Sequence, residues 1–579
     1  MGQVLDWILV YRSAFLLNYV IALLFLLLIG TFFRNIYFSV GLYFFMGFFL
    51  ILLNKYKMKF LEDPIFPWDL MLYNQVINLF PQLYKAFNPF LLLPLLLIPL
   101  LGIYLIKKLP SFKLNAKVRI ICGLVSVLLL AGISFYKSTP MEYVLKTLNI
   151  TNKTWNQNEN YSFNGLYLSF LMNLQSAVVL PPNEYSEEKI DSIVSSIGGK
   201  NPAVASISTP TDAVMEKPNI IFVMNESFWD PSLLNKVSYS KDPMPTVRSL
   251  QNSGNGGWII SPEFGGGTAN VEFEVLTGLS MNFVPSGSVP YQQYITRSTP
   301  SLASVFAEKG YESIAIHPND KWFWNRDEVY KHFGFKNFLS IDQFKNPSKE
   351  KRGTYVDDKE VTKSIIEQTE KSDKPAFIYA VTIQNHGTYY YPSTNKPNYP
   401  IDVKGNISDE VKEQLHVYSN GVNDGDTELQ NLINYYKNSK EPTIIVFFGD
   451  HLPYLGNAYD ETGYYSSATG LEQIRNMSKT PLVIWNNFGK EVNLPQDTIS
   501  TSFLGTYLFD LAGVNTPLYY KFLEEFRNKL PGYKMTMKMD NQGKLYLDTP
   551  ESLSELENQY RLLQYDLLFG KQFAKDKLF

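Results

Sequence analysis

Cysteine is nearly absent: Cys122 is the one thiol in 579 residues. No intramolecular disulfide can form, and a cysteine-rich zinc site is excluded. Cys122 lies in an apolar run, which also makes it a poor thiol nucleophile. Histidine is scarce, with five in the chain. An excess of positive charge is missing as well. Lys and Arg number 52 against 55 Asp and Glu, for a net charge of −3. With no long basic stripe, nothing supports a nucleic-acid partner. The length exceeds what one compact core serves, so two or more domains are expected.

Apolar sequence is abundant and sits at the N-terminus. Residues 14–33 carry no charge and are long enough to cross a bilayer. Residues 37–53, 89–106 and 120–135 are three further spans. Four runs in one block read as membrane helices, and their repetition argues against a cleavable signal peptide. Lys107, Lys108, Lys113, Lys117 and Arg119 lie between the third and fourth spans, which places that loop in the cytoplasm. Everything after Tyr136 is then extracellular. Lys55, Lys57 and Lys59 oppose this topology. A fifth span in the interfacial-looking stretch 63–87 would remove the conflict.

Residues 1–137 thus form a transmembrane domain. Residues 138–217 read as a connector, with helices at 167–179 and 186–197 and a Ser/Thr/Pro linker at 203–217. From Pro218 the pattern changes to short, nearly continuous apolar runs at 219–224, 376–383, 443–448 and 481–485, with another at 313–316. Such runs suit strands buried on both faces of a mostly parallel sheet. Helical patterns at 247–252, 301–309, 357–371 and 421–440 alternate with them, which makes an α/β sandwich. This outer domain spans 218–516. The extension 517–579 contains a strand-like 544–547 and a charged helix at 551–569, with no chemical role evident.

Ligands of α/β sheets bind beyond the carboxyl ends of the strands. There stand Glu226, His317, Gln384-Asn385-His386 and Gly449-Asp450-His451. Glu226, Asp450 and His451 are a suitable donor set for a divalent cation, manganese or magnesium. The run Gly265-Gly-Gly-Thr268 could press a threonine hydroxyl into the same cleft. A hydroxyl needs such a base or metal to become a nucleophile. Taken singly, Glu226 also reads as a helix cap, Asp450 as a turn residue and His451 as a surface histidine. His332 and His416 lie in polar helical sequence and read as structural. In the stretch His317-Pro-Asn-Asp-Lys-Trp-Phe-Trp-Asn-Arg326, Arg326 offers a fork of donors matched to phosphate oxygens. Trp324 could line a glycerol or sugar moiety.

At these residues the chain resembles the lipoteichoic acid synthase family of the alkaline phosphatase and sulfatase superfamily. The matching pieces are Asn225-Glu-Ser-Phe228, Gly265-Gly-Gly-Thr-Ala-Asn-Val-Glu-Phe273, His317 to Gly334, Gln384-Asn-His386 and Phe448-Gly-Asp-His451. The resemblance implies Thr268 as nucleophile and a manganese ion (magnesium as the alternative) on Glu226, Thr268, Asp450 and His451. His317, Asn319, Trp324, Arg326 and His386 would bind the glycerol phosphate. Asn319 stands where the family often has aspartate, which bears on the choice of substrate or acceptor. The donor lipid would be phosphatidylglycerol, with a glycolipid, a growing glycerophosphate chain or a wall polysaccharide as acceptor. A phosphoethanolamine transferase or phosphodiesterase of the same superfamily is the alternative. A sulfatase is disfavoured, because the nucleophile position holds threonine.

Overall fold

Among the described residues, three helices are long and apolar enough to cross a membrane: α1 (Arg12–Phe32), α2 (Ile36–Leu61) and α4 (Ala116–Ser134). Helix α3 (Leu93–Lys108) covers most of the expected third span in 16 residues and ends in Lys107 and Lys108. The computed structural model describes residues 2–33, 35–61, 64–71, 93–108, 115–152, 157–177, 179–199, 216–350, 354–390, 400–492, 494 and 498–579. Residues 89–92 of the third span, most of the 63–87 stretch and most of the 203–217 linker therefore lie outside the described residues. The chain divides into two units, Met1–Leu180 with Val284–Ser288, and Pro181–Phe283 with Val289–Phe579.

Within the first unit, Lys57 is tied to Asp69 at 2.7 Å and lies over the Phe66 ring. The Ile65 N–H donates to Asn54 Oδ1 at 2.8 Å. One of the three lysines that opposed the four-span topology is thus matched by a local carboxylate. It is not a free loop cation of the kind that sets orientation.

In the second unit the apolar runs form an eight-stranded sheet. Its strands are β1 (Asn219–Asn225), β2 (Gly256–Ile260), β3 (Glu312–Ile316), β4 (Asn337–Leu339), β5 (Ala376–Val381), β6 (Thr443–Gly449), β7 (Lys479–Asn486) and β8 (Thr498–Ser500). Their order is β8-β2-β7-β6-β1-β5-β3-β4. All pairings are parallel except those of β7, which runs antiparallel to both β6 and β2. The central strands β1, β5 and β6 are buried at every position. Continuous β-branched and aromatic runs have no polar face to offer water, so both faces must be covered. The same property hides direction. A run such as Pro481 to Trp485 reports burial and leaves open which way the chain travels.

The expected helix 421–440 is longer. It begins at Asp409 and runs 29 residues to Lys437, capped by Ser408 Oγ on the Val411 N–H. Gly421 resembles a helix boundary in sequence, yet it is interior and buried. The extension supplies an antiparallel sheet of β9 (Gly532–Lys534), β10 (Met537–Met539) and β11 (Leu545–Tyr546), followed by a helix at Ser554–Leu568.

Register decides what meets at the strand ends. Asn225 pairs with Gly449, so Glu226 and Asp450 leave adjacent strands at one level. Ile316 pairs with Ala380, which brings His317 beside Val381. Ile445 is fully buried mid-sheet in β6. Ile445→Ala is expected to lower the unfolding free energy by about 2–5 kcal/mol, measured by chemical denaturation of the detergent-solubilised chain followed through circular dichroism.

Candidate active site

The glycine run of the sequence becomes a loop that only glycine can form. Gly265, Gly266 and Gly267 have φ of 68°, 153° and 84°. A Cβ on Gly267 would also lie 2.8 Å from Glu263 Cδ. The loop is pinned to the neighbouring strand end, because the Gly265 N–H donates to Leu452 O at 2.9 Å. Thr268 is the first residue of helix α5 (Thr268–Thr277) and is buried. Its hydroxyl therefore sits where a helix presents unpaired N–H groups and the positive end of its dipole. It donates to Asp450 Oδ2 at 2.9 Å.

Asp450 is the hub. Its Oδ1 accepts the Ser227 N–H at 2.7 Å and the His451 N–H at 2.8 Å. Its position depends on Gly449, where any Cβ would stand 1.9 Å from Phe228 O. The His451 Nδ1 lies 3.0 Å from Leu452 O, an acceptor, so Nδ1 carries the proton and Nε2 keeps its lone pair. That Nε2 is buried with no hydrogen-bond partner. It lies 3.2 Å from Asp450 Oδ2 and 4.0 Å from Glu226 Oε1. Glu226 is held by Ser227 Oγ at 2.9 Å, with the Thr382 hydroxyl on its backbone N–H. Ser227 itself has φ of 52°, a left-handed position for a non-glycine residue at the site.

Glu226, Asp450 and His451 thus direct ligand atoms within 4.8 Å of one another, all buried. Burial, and next the charge of Asp450, pushes the Glu226 carboxyl up to about 8. Two carboxylates and an imidazole lone pair repel one another in such a space unless a cation lies among them. The donors present therefore fit a divalent ion with mixed oxygen and nitrogen preference.

The second cluster is built from β3 and the turn after it. His317 Nδ1 lies 3.0 Å from the carbonyl of Val381, so its Nε2 also presents a lone pair. Burial, then the Arg326 charge, lowers His317 well below the usual histidine range and keeps it neutral. His386 is half-buried, with Nδ1 3.2 Å from Tyr355 Oη and 3.0 Å from Gly387 O. Trp324 and Asn325 both adopt left-handed φ, at 58° and 61°, immediately before Arg326. Trp324 is half-buried and packs edge-on to Phe323. Asn319 lies at the turn, where its Oδ1 accepts the Asp320 N–H at 2.8 Å.

Arg326 differs most from an exposed phosphate fork. It is 1% exposed and forms a two-point ion pair with Glu272 through Nε, at 3.0 Å, and Nη2. Glu272 also accepts the Tyr330 hydroxyl at 2.6 Å and the Tyr291 hydroxyl at 3.2 Å. Sequence reasoning quoted Glu272 within a motif and assigned it no role. The available signal was an acid between Val271 and Phe273, one helical turn after the threonine. The C-terminal extension was also passed over. Lys534 of β9 donates to Ser261 O at 2.9 Å, at the root of the glycine loop. Burial lowers this ammonium to about 8.

Two substitutions test this framework. Glu272→Gln leaves a buried guanidinium without its counter-charge and is expected to cost about 3–5 kcal/mol, read as a lowered melting temperature. Gly449→Ala must displace the Phe228 carbonyl. It is expected to give a protein that fails to accumulate in folded form, assayed by size-exclusion chromatography in detergent.

Comparison with known proteins places the chain among relatives. A sulfatase family model matches residues 218–514. A protein assigned to cyclic β-1,2-glucan modification in Rhizobium meliloti is 37% identical over 545 residues, covering 91% of this chain and 82% of that one. A lipoteichoic acid synthase of Staphylococcus saprophyticus is 29% identical over 244 residues, spanning 41% of this chain and 36% of its own length. Among solved structures, phosphoglycerol transferase GacH of Streptococcus pyogenes, in complex with sn-glycerol-1-phosphate, aligns with a TM-score of 0.57 at 27% identity. That alignment covers 69% of this chain and 98% of GacH. The chain belongs to the sulfatase family and stands within it among the lipoteichoic acid synthase-like phosphotransferases.

Proposed function

We propose that this enzyme moves glycerol phosphate from phosphatidylglycerol to a saccharide acceptor of the cell envelope, through a glycerophosphoryl group on Thr268. The observation that carries the reading is the Thr268 hydroxyl, hydrogen-bonded at 2.9 Å into the Glu226, Asp450 and His451 donor set. Those three residues, with Thr268, would hold the cation, manganese or magnesium. Bound there, it would lower the pKa of the hydroxyl and offset charge on the phosphoryl oxygens.

Thr268 Oγ1 bonds to the donor phosphorus as the phosphorus–oxygen bond to diacylglycerol breaks. The proton lost by Thr268 passes by way of Asp450 Oδ2 to the departing diacylglycerol oxygen, so diacylglycerol leaves as the neutral alcohol. An acceptor hydroxyl then attacks the same phosphorus and gives up its proton. The bond to Oγ1 breaks and Thr268 recovers its hydroxyl. Neutral His317, with Nε2 as an acceptor, suits a glycerol hydroxyl. Arg326 supplies fixed positive charge, and its pair with Glu272 keeps it in place while helix α5 carries the reacting threonine. Trp324, Asn319 and His386 would complete the substrate contacts.

The donor assignment is supported by the glycerol phosphate in the similar GacH structure. The saccharide acceptor is supported by the Rhizobium meliloti relative, assigned to glucan modification. The charged loop around Lys107 and Lys108 supports a cytoplasmic position for that loop and an extracellular catalytic domain.

The test supplies the purified full chain with labelled phosphatidylglycerol and Mn²⁺ and follows diacylglycerol release. Release is expected in the wild type and is abolished by chelator and by Thr268→Ala. Release that survives Thr268→Ala overturns the nucleophile assignment. Release from phosphatidylethanolamine in place of phosphatidylglycerol overturns the donor.

A further inference from the structure

The 29-residue helix Asp409–Lys437 carries two buried glycines one turn apart, Gly421 and Gly425. Interior glycine weakens a helix by about 0.5–1 kcal/mol relative to alanine, so two in one stripe call for a reason. The reason is close approach. A Cβ on Gly425 would lie 2.9 Å from Asn225 Oδ1 and 3.0 Å from its Nδ2. A Cβ on Gly421 would lie 2.0 Å from Asn385 Oδ1 and 2.7 Å from its Cγ.

Both asparagines are at most 1% exposed. Each directly precedes a candidate site residue, Asn225 before Glu226 and Asn385 before His386. The Asn225 amide donates to Asp358 Oδ2 at 2.9 Å. Gln384 accepts the Asp358 N–H at 2.8 Å and donates to Asp424 Oδ2 at 2.8 Å. The Asn225 Oδ1 and both polar atoms of Asn385 have no hydrogen-bond partner. Buried amide groups without partners cost free energy. Asn385 is thus held by packing into the glycine stripe, and Asn225 by the same packing together with its bond to Asp358, at the roots of two separate site loops.

We propose that Gly425 and Gly421 are positioning residues acting on different halves of the site. Gly425, through Asn225, sets Glu226 and the cation half. Gly421, through Asn385, sets His386 and the substrate half. The inference rests on the reading of Glu226 as a cation ligand and His386 as a substrate contact.

The experiment measures two affinities on the full chain in detergent by calorimetry: Mn²⁺, and sn-glycerol-1-phosphate at saturating Mn²⁺. Gly425→Ala is expected to weaken Mn²⁺ about tenfold or more while changing glycerol phosphate affinity by less than about twofold. Gly421→Ala is expected to do the reverse. Adding Asn225→Ser to Gly425→Ala removes the clash and is expected to recover most of the Mn²⁺ affinity. If a glycine variant fails to fold, Asn225→Ser and Asn385→Ser alone should show the same split.

Both affinities falling together with the melting temperature in every variant would mark a merely structural stripe and overturn the inference. Unchanged affinities overturn it as well. A wild type that binds neither Mn²⁺ nor glycerol phosphate overturns the underlying functional reading, and the inference with it. Wild-type binding with coincident variant effects overturns the inference alone.

Discussion

The second unit depends on one electrostatic constraint. Two carboxylates and an imidazole lone pair are gathered in a space from which water is excluded. Glu226 and Asp450 arrive there because β1 and β6 are parallel neighbours with Asn225 opposite Gly449. The bare Gly449 backbone lets the Phe228 carbonyl lie where a side chain would otherwise be. Burial first, and then the charge of Asp450, raises the Glu226 carboxyl. A site that repels itself in this way gains from a divalent cation, and the buried Thr268 hydroxyl is placed to share it.

A buried ion pair joins the two clusters. Helix α5 starts with Thr268 and, one turn later, holds Glu272, which grips Arg326 from the turn after β3. The helix that begins at Thr268 and the turn that carries Arg326 are therefore joined by a buried ion pair. Desolvation makes such a pair costly to assemble and costlier to break by losing one partner. Nε and Nη2 of Arg326 are both engaged by Glu272, so Arg326 is tied to the helix that begins at Thr268.

Supporting elements reach the site from far along the chain. Lys534, from the small C-terminal sheet, braces the Ser261 carbonyl below the glycine loop. The long helix with Gly421 and Gly425 lets two asparagines settle behind Glu226 and His386. Neither carries an obvious chemical motif. The first acts through a side-chain ammonium on a backbone carbonyl, the second by letting side-chain amides lie close to a helix backbone.

Much was legible in the sequence because it rests on short-range patterns. Apolar runs of the right length indicated membrane helices and buried strands. Rules for strand ends in α/β sheets singled out Glu226, His317, Asp450 and His451, and a triple glycine pointed to Thr268. Those are local properties of residue type and spacing. Tertiary structure decided the rest. Strand order and the reversed direction of β7 depend on which runs pair, and a run buried on both faces is silent about its neighbours. The partner of Arg326 was hidden because Glu272 lies 54 positions earlier, and only folding removes the water that would have separated their charges. Gly421 looked like a helix boundary because a glycine's use for close approach is visible only when the approaching group, Asn385, is in place.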